Sequence, residues 1–273
     1  MGKIMGVYIS HARLGSYRNI LKLSSDNEIE RAYYWNIALC AAILPVLNIL
    51  EITFRNGLNH YIINEHSHYK DNKWWFRVIE CEIQDRKFNR MPASERNRWV
   101  VEDRRMKKSK LEQDIDRIYQ QLPRSRRTAE NVLSRLSFGN WTRFLDQDYM
   151  SSNRRIGLWP YMLQSVFPNG PQDFQLTDYH TRFDTIRKFR NRVFHHEPIW
   201  KFYNKDANGQ DIYGRPVYGV NAALNILRKH YDEIIEAIQW ISENAYNKLI
   251  HYNLHAEFEH LSSHEGFTAY VKY

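Results

Sequence analysis

Between Ile29 and Tyr61 apolar residues return every three or four positions, and that period constrains the fold more than any other feature of the chain. Ile29, Ala32, Tyr33, Ile37 and Cys40, with Asn36 among them, fall at helical spacing behind Asp26, a candidate N-cap. Pro45 lacks the amide donor and crowds the carbonyl four residues back, so a kink or break is predicted there. A further helix is predicted from about Val46 to about Ile63, with Leu47, Leu50, Phe54, Leu58 and Tyr61 along one side.

The same period runs through most of the 273 residues. Ser10 can cap a short helix through Leu23, and residues 64–73 read as a polar loop before a buried cluster of Trp74, Trp75 and Phe76. Residues 92–121 read as one long charged helix, with Ser94 as a candidate cap. Short helices follow at 128–136 and 157–167. Thr177 or Asp178 caps another helix, which Pro198 stops. The turn at 206–215 can join a small hairpin, and 220–252 reads as one long amphipathic helix. Only 11 Gly and 8 Pro punctuate the chain, which disfavours an all-β design, while 43% apolar residues suffice for a real core. The expectation is an all-α fold. Residues 1–24 would form an N-terminal arm, with helical halves at 25–127 and 128–273.

The formal charge is +8, and residues 95–127 hold eleven Arg or Lys against six Asp or Glu, a surplus of five. Such a segment is either a solvated helix face or a face that tracks nucleic acid. On the second reading Arg104, Arg105, Lys107, Lys108, Lys110, Arg124, Arg126 and Arg127 contact RNA phosphates. Cys40 and Cys81 alone make neither a disulfide framework nor a metal knuckle. His251 and His255 share a helix face but lack a following Glu or a Cys, so no metal or other cofactor is expected. Residues 1–10 lack an apolar signal core, and the run 37–47 is short for a membrane span, so a cytoplasmic location without membrane contact is expected.

Two segments repeat one spacing. "FRNGLNHY" holds Arg55, Asn56 and His60, and "FRNRVFHHEPIW" holds Arg190, Asn191 and His195. Asn and His four apart share a helix face, and the long Arg side chain can swing round to join them. Each segment thus offers a cation, an amide and an imidazole to one small anion. This set suits RNA cleavage: a base frees the 2′-hydroxyl to attack the neighbouring phosphate, and an acid protonates the departing 5′-oxygen. Arginine neutralises the growing phosphate charge, and two motifs together supply acid and base. Pro198 puts His195 in a last helical turn, where the dipole favours the imidazolium. The plain structural alternatives are Arg55 paired with Glu51, Arg187 paired with Asp184, and a histidine that merely caps a helix.

The chain resembles the Abi-like proteins of bacterial abortive-infection systems, the AbiD/AbiF type within the HEPN superfamily. The resemblance is carried by "SHARLGSY" at 10–17, the block 33–56 ending in E-x-x-x-R-N, "WW" at 74–75, "LSFGNWTRFL" at 136–145, "LWPYMLQSVFP" at 158–168 and "FRNRVFHHEPIW" at 189–200. It implies HEPN-like helical bundles, a role in phage defence, and a metal-independent endoribonuclease with an R-x4-H motif, here Arg190, Asn191 and His195. Such proteins work as dimers or with two motifs in one chain, so Arg55, Asn56 and His60 are expected to share one cleft with the second motif. The resemblance leaves an alternative: a non-catalytic module that holds a small non-coding or antitoxin RNA. Gly57, inside the first motif, departs from a good helix former.

Overall fold

The computed structural model describes residues 9–101, 108–153 and 157–273. The described chain is helical, apart from one two-stranded antiparallel sheet. In order come α1 (His11–Ile20), α2 (Asp26–Glu65), α3 (Trp75–Arg90), α4 (Ala93–Val101), α5 (Lys110–Gln121), α6 (Ala129–Leu133), α7 (Phe138–Arg143), α8 (Leu163–Val166) and α9 (Leu176–Phe194). The hairpin β1 (Tyr203–Lys205) and β2 (Asp211–Pro216) follows, then α10 (Val220–Ile241), α11 (Glu243–His251), α12 (Ala256–Leu261) and α13 (His264–Lys272).

Several boundaries differ from the sequence reading, each for a physical reason. Ser25, not Asp26, caps α2: its hydroxyl accepts from the Glu28 amide at 3.1 Å, while the Glu28 carboxylate accepts from the Ser25 amide at 3.1 Å. A hydrogen bond from Lys272, then those from backbone amides, hold the Glu28 carboxyl down at about 2. Pro45 neither ends nor divides α2, which runs through it for 40 residues. Leu39 and Ile43 before it, and Val46, Leu47 and Leu50 after it, are all buried, so packing on both sides outweighs the one missing hydrogen bond. The helix also absorbs the start of the predicted loop, where His66 and Tyr69 are buried.

Asp178 works from inside the first turn of α9, its carboxylate accepting from the Gln175 amide at 2.7 Å. Residues 108 and 109 are not helical, so the long charged helix is two helices, and Ser109 caps α5 by accepting from the Glu112 amide at 2.9 Å. Only Leu163–Val166 of the predicted helix at 157–167 forms, because the residue before Pro160 is held out of the α region. The expected helix at 220–252 is divided at Ser242. The Trp240 carbonyl there accepts from the Asn169 amide at 3.1 Å instead of continuing the helical ladder.

The chain forms two compact units. One combines the residues up to Leu50 with Lys188–Gln239 and Glu243–Tyr273. Its core centres on Trp35, whose indole N–H donates to the Leu261 carbonyl at 2.8 Å and whose ring meets Phe267 edge-on at 4.9 Å. The other unit combines Glu51–Arg187 with Trp240–Ser242. Phe54, Phe167, Tyr179 and Phe183 form its aromatic core, Phe167 and Tyr179 stacked at 4.3 Å. A Cβ on Gly57 would stand 3.3 Å from Cγ2 of Ile241, so close helix approach accounts for that glycine. By length and composition α2 is apolar enough to cross a membrane, and 44% of its most apolar window is buried within the protein.

Candidate nucleic-acid interface

Arg190, Asn191 and His195 sit at the C-terminal end of α9. The Arg190 guanidinium lies over the Phe194 ring, 3.9 Å from its centroid. The His195 amide still donates to the Asn191 carbonyl at 2.9 Å, so His195 is the last residue tied into the helix. His196 then turns left-handed at φ 54°, its amide donating to the Val193 carbonyl at 3.1 Å, and the Glu197 amide donates to the Arg192 carbonyl at 3.0 Å. This pair of bonds is a Schellman motif, which assigns His196 to the cap. His195 is exposed and Asn191 half-buried, and neither side chain is hydrogen-bonded to another described residue.

Two residues that the sequence reading did not single out for this site hold the turn in place. Asn36 is buried, donates from Nδ2 to the Glu197 carbonyl at 3.2 Å and accepts at Oδ1 from the Ile199 amide at 3.0 Å. Arg192 donates through Nη2 to the Pro198 and Lys201 carbonyls, both at 2.6 Å, and approaches the Glu197 carboxylate at 3.5 Å. Burial pulls the Arg192 pKa below the ordinary arginine value, against the opposing pull of Glu197. One signal was available: Asn36 is the polar member of an otherwise apolar row in α2.

The first motif lies in the other unit. Arg55 donates from Nε to Oδ1 of Asn56 at 3.3 Å and from Nη1 to the Ser134 carbonyl at 3.5 Å. His60 is exposed, and its Nδ1 faces Nδ2 of Asn64 at 3.2 Å rather than Asn56. Asn64 is four residues on, so this partner was legible from spacing. Arg187 pairs with Asp184 at 2.6 Å, as the plain alternative required.

Arg104, Arg105 and Lys107 lie outside the described residues. Lys108 pairs with Asp116 and, at 3.5 Å, with Glu112, while Lys110 stands 3.6 Å from Asp114. Arg127 donates to the Leu122 and Gln120 carbonyls and lies over Tyr119. Arg124 and Arg126 are exposed.

A pocket of about 270 Å³ opens beyond His195 and includes Arg192, Glu197, Lys201, Phe202, Tyr203 and Asp211 in its lining. In the other unit a polar pocket of about 390 Å³ contains a His180–Asp146 pair at 2.9 Å and the Arg187–Asp184 pair.

Residues 8–201 match the family described as Abi-like protein, more than half of the chain. The chain belongs to the Abi-like family. Its membership supports a role in abortive infection as a phage defence. No curated protein and no solved structure matches it. The Abi-like region takes in both motifs, Asn36 and Arg192, and ends at Lys201, before the hairpin and α10–α13.

Proposed function

We propose that the protein is a cytoplasmic, metal-independent endoribonuclease of the HEPN type, akin to AbiD and AbiF, and that His195 acts directly at the phosphodiester. The observation that carries this reading is the contrast around α9's end. His195 and Asn191 keep their polar side-chain atoms open to a ligand, while buried Asn36 and half-buried Arg192 spend theirs on fixing the turn. Rigid support beneath an accessible acid–base group is what catalysis needs. Arg190 then neutralises charge on the phosphate, Asn191 orients it, and His60, with Arg55 and Asn56, supplies the second acid–base group from the same chain or from a second copy. Exposed Arg124 and Arg126, with Arg104, Arg105, Lys107, Lys108, Lys110 and Arg127, attract the RNA backbone.

The test compares purified wild type with His195→Ala on total RNA, and RNA integrity in cells under phage challenge. The expected loss of cleavage is about 100-fold or more, the range typical of a removed general acid or base. Equal cleavage by both proteins overturns the reading. Unchanged RNA binding with no cleavage by either supports the second reading, a module that holds a small RNA. That reading draws on the first motif, where Asn64 engages His60 and Ser134 engages Arg55.

A further inference from the structure

The pocket beyond His195 contains chemistry that phosphate cleavage does not use. Arg192 spans the Phe202 ring at 5.1 Å and, with Nη2 on two backbone carbonyls and Nε toward Glu197, serves as structure. Phe202 and Tyr203 give the lining two aromatic rings, and the His230 ring also lies against Phe202 at 5.1 Å. Tyr213 stacks on Tyr203 at 5.6 Å with 13° between the rings and is 91% exposed, so the flat aromatic surface continues outward along the hairpin. Lys201 places an ammonium 5.6 Å from the Tyr203 ring and 3.2 Å from the Ser16 hydroxyl. Of the two carboxylates, Glu197 pairs with Arg192 at 3.5 Å, whereas Asp211 feels the same guanidinium only through its charge and takes no hydrogen bond from another described residue.

We infer that this pocket holds one unpaired nucleobase of the bound RNA, and that it selects guanine over uracil. The inference rests on the RNA reading of the neighbouring motif. The exposed ring of Tyr213, at the outer end of this stack, can receive any base and therefore supplies affinity without choice. An ionised carboxylate only accepts hydrogen bonds. Guanine presents two adjacent N–H donors, which match the two oxygens of Asp211, whereas uracil offers that carboxylate a single N–H flanked by two repelling carbonyl oxygens. Lys201 takes the phosphate that flanks the base. Glu197, in the lining, stands two residues after His195 in the turn that Asn36 and Arg192 fix, so pocket and motif share one rigid turn. Phe202, Tyr203 and Asp211 lie beyond the Abi-like match, so this selectivity is a property of this chain rather than of the family signature.

The test measures fluorescence polarisation with two labelled single-stranded hexanucleotides, one all uridine and one with a single guanosine. The protein is the full chain carrying His195→Ala, so the probes stay intact. The guanosine probe is expected to bind about tenfold tighter, the scale of one good bidentate contact. Adding Asp211→Asn should bring the two affinities within about threefold, with uridine binding and the melting temperature unchanged. Equal affinities in the Asp211 protein, or a full preference retained after Asp211→Asn, overturn the pocket while sparing the RNA reading. Failure of both probes to bind at low salt overturns the RNA reading and the pocket together.

Discussion

Asn36 brackets Pro198 with a single amide, donating to the Glu197 carbonyl at 3.2 Å on one side and accepting from the Ile199 amide at 3.0 Å on the other. Asn36→Ala removes both bonds and leaves the Ile199 amide buried without a partner. A loss of about 2–3 kcal/mol is expected in urea unfolding. Asn36→Asp keeps the acceptor but not the donor, and should fall between. Equal stability of wild type and Asn36→Ala would show that the turn does not depend on this clamp.

His196 carries φ 54° at the position after a helix where glycine is preferred. His196→Gly should raise stability by about 0.5–1 kcal/mol, and His196→Val should lower it by about 1–2 kcal/mol, because a branched Cβ tolerates the left-handed region worst. Cleavage should survive His196→Gly and fail with His195→Ala. The pair of variants therefore separates two adjacent imidazoles with different tasks.

His66 is buried with both ring nitrogens committed. Nδ1 faces the amides of His68 and Tyr69, both at 3.2 Å, so it accepts, and Nε2 carries the proton that it donates to the Gly157 carbonyl at 2.9 Å. Burial lowers its pKa from the ordinary 6.5. The native state thus resists a proton that the unfolded chain takes up. Stability from this group is complete above about pH 6.5 and declines as pH falls below it, by at most about 1.4 kcal/mol per pH unit, levelling off below the lowered value. Melting curves between pH 8 and pH 5 should show the decline, and His66→Gln should flatten it.

What the sequence disclosed and what it hid divide along the range of the interactions. The Ser10 cap, the hairpin turn and the Pro198 stop are decided within a few residues, and each forms as read. Pro45 was misread because its cost is local while the burial that outweighs it comes from distant segments. The break at Ser242 depends on Asn169, more than seventy positions away. Partners one helical turn away, such as Asn64 for His60 in the first motif, were within reach of the spacing. The frame beneath the second was not, since Asn36 meets Ile199 across 163 positions.

Gly266 opens the turn of α13, and a Cβ there would stand 1.9 Å from the His260 carbonyl oxygen. Backbone would have to shift, so Gly266→Ala should cost about 2 kcal/mol or more. It should also loosen Phe267 from Trp35, which near-ultraviolet circular dichroism of the tryptophan band can follow.

That last contact bears on how the chain is born. Trp35, the neighbour of Asn36, is closed over by Leu261 and Phe267, and Lys272 reaches back to Glu28. A ribosome has therefore exposed Arg190 and His195 well before it supplies the residues that complete their unit. The nascent polypeptide passes through a long interval in which its second motif is present but unassembled. Assembly of the unit that carries the second motif therefore waits until translation has supplied α12 and α13.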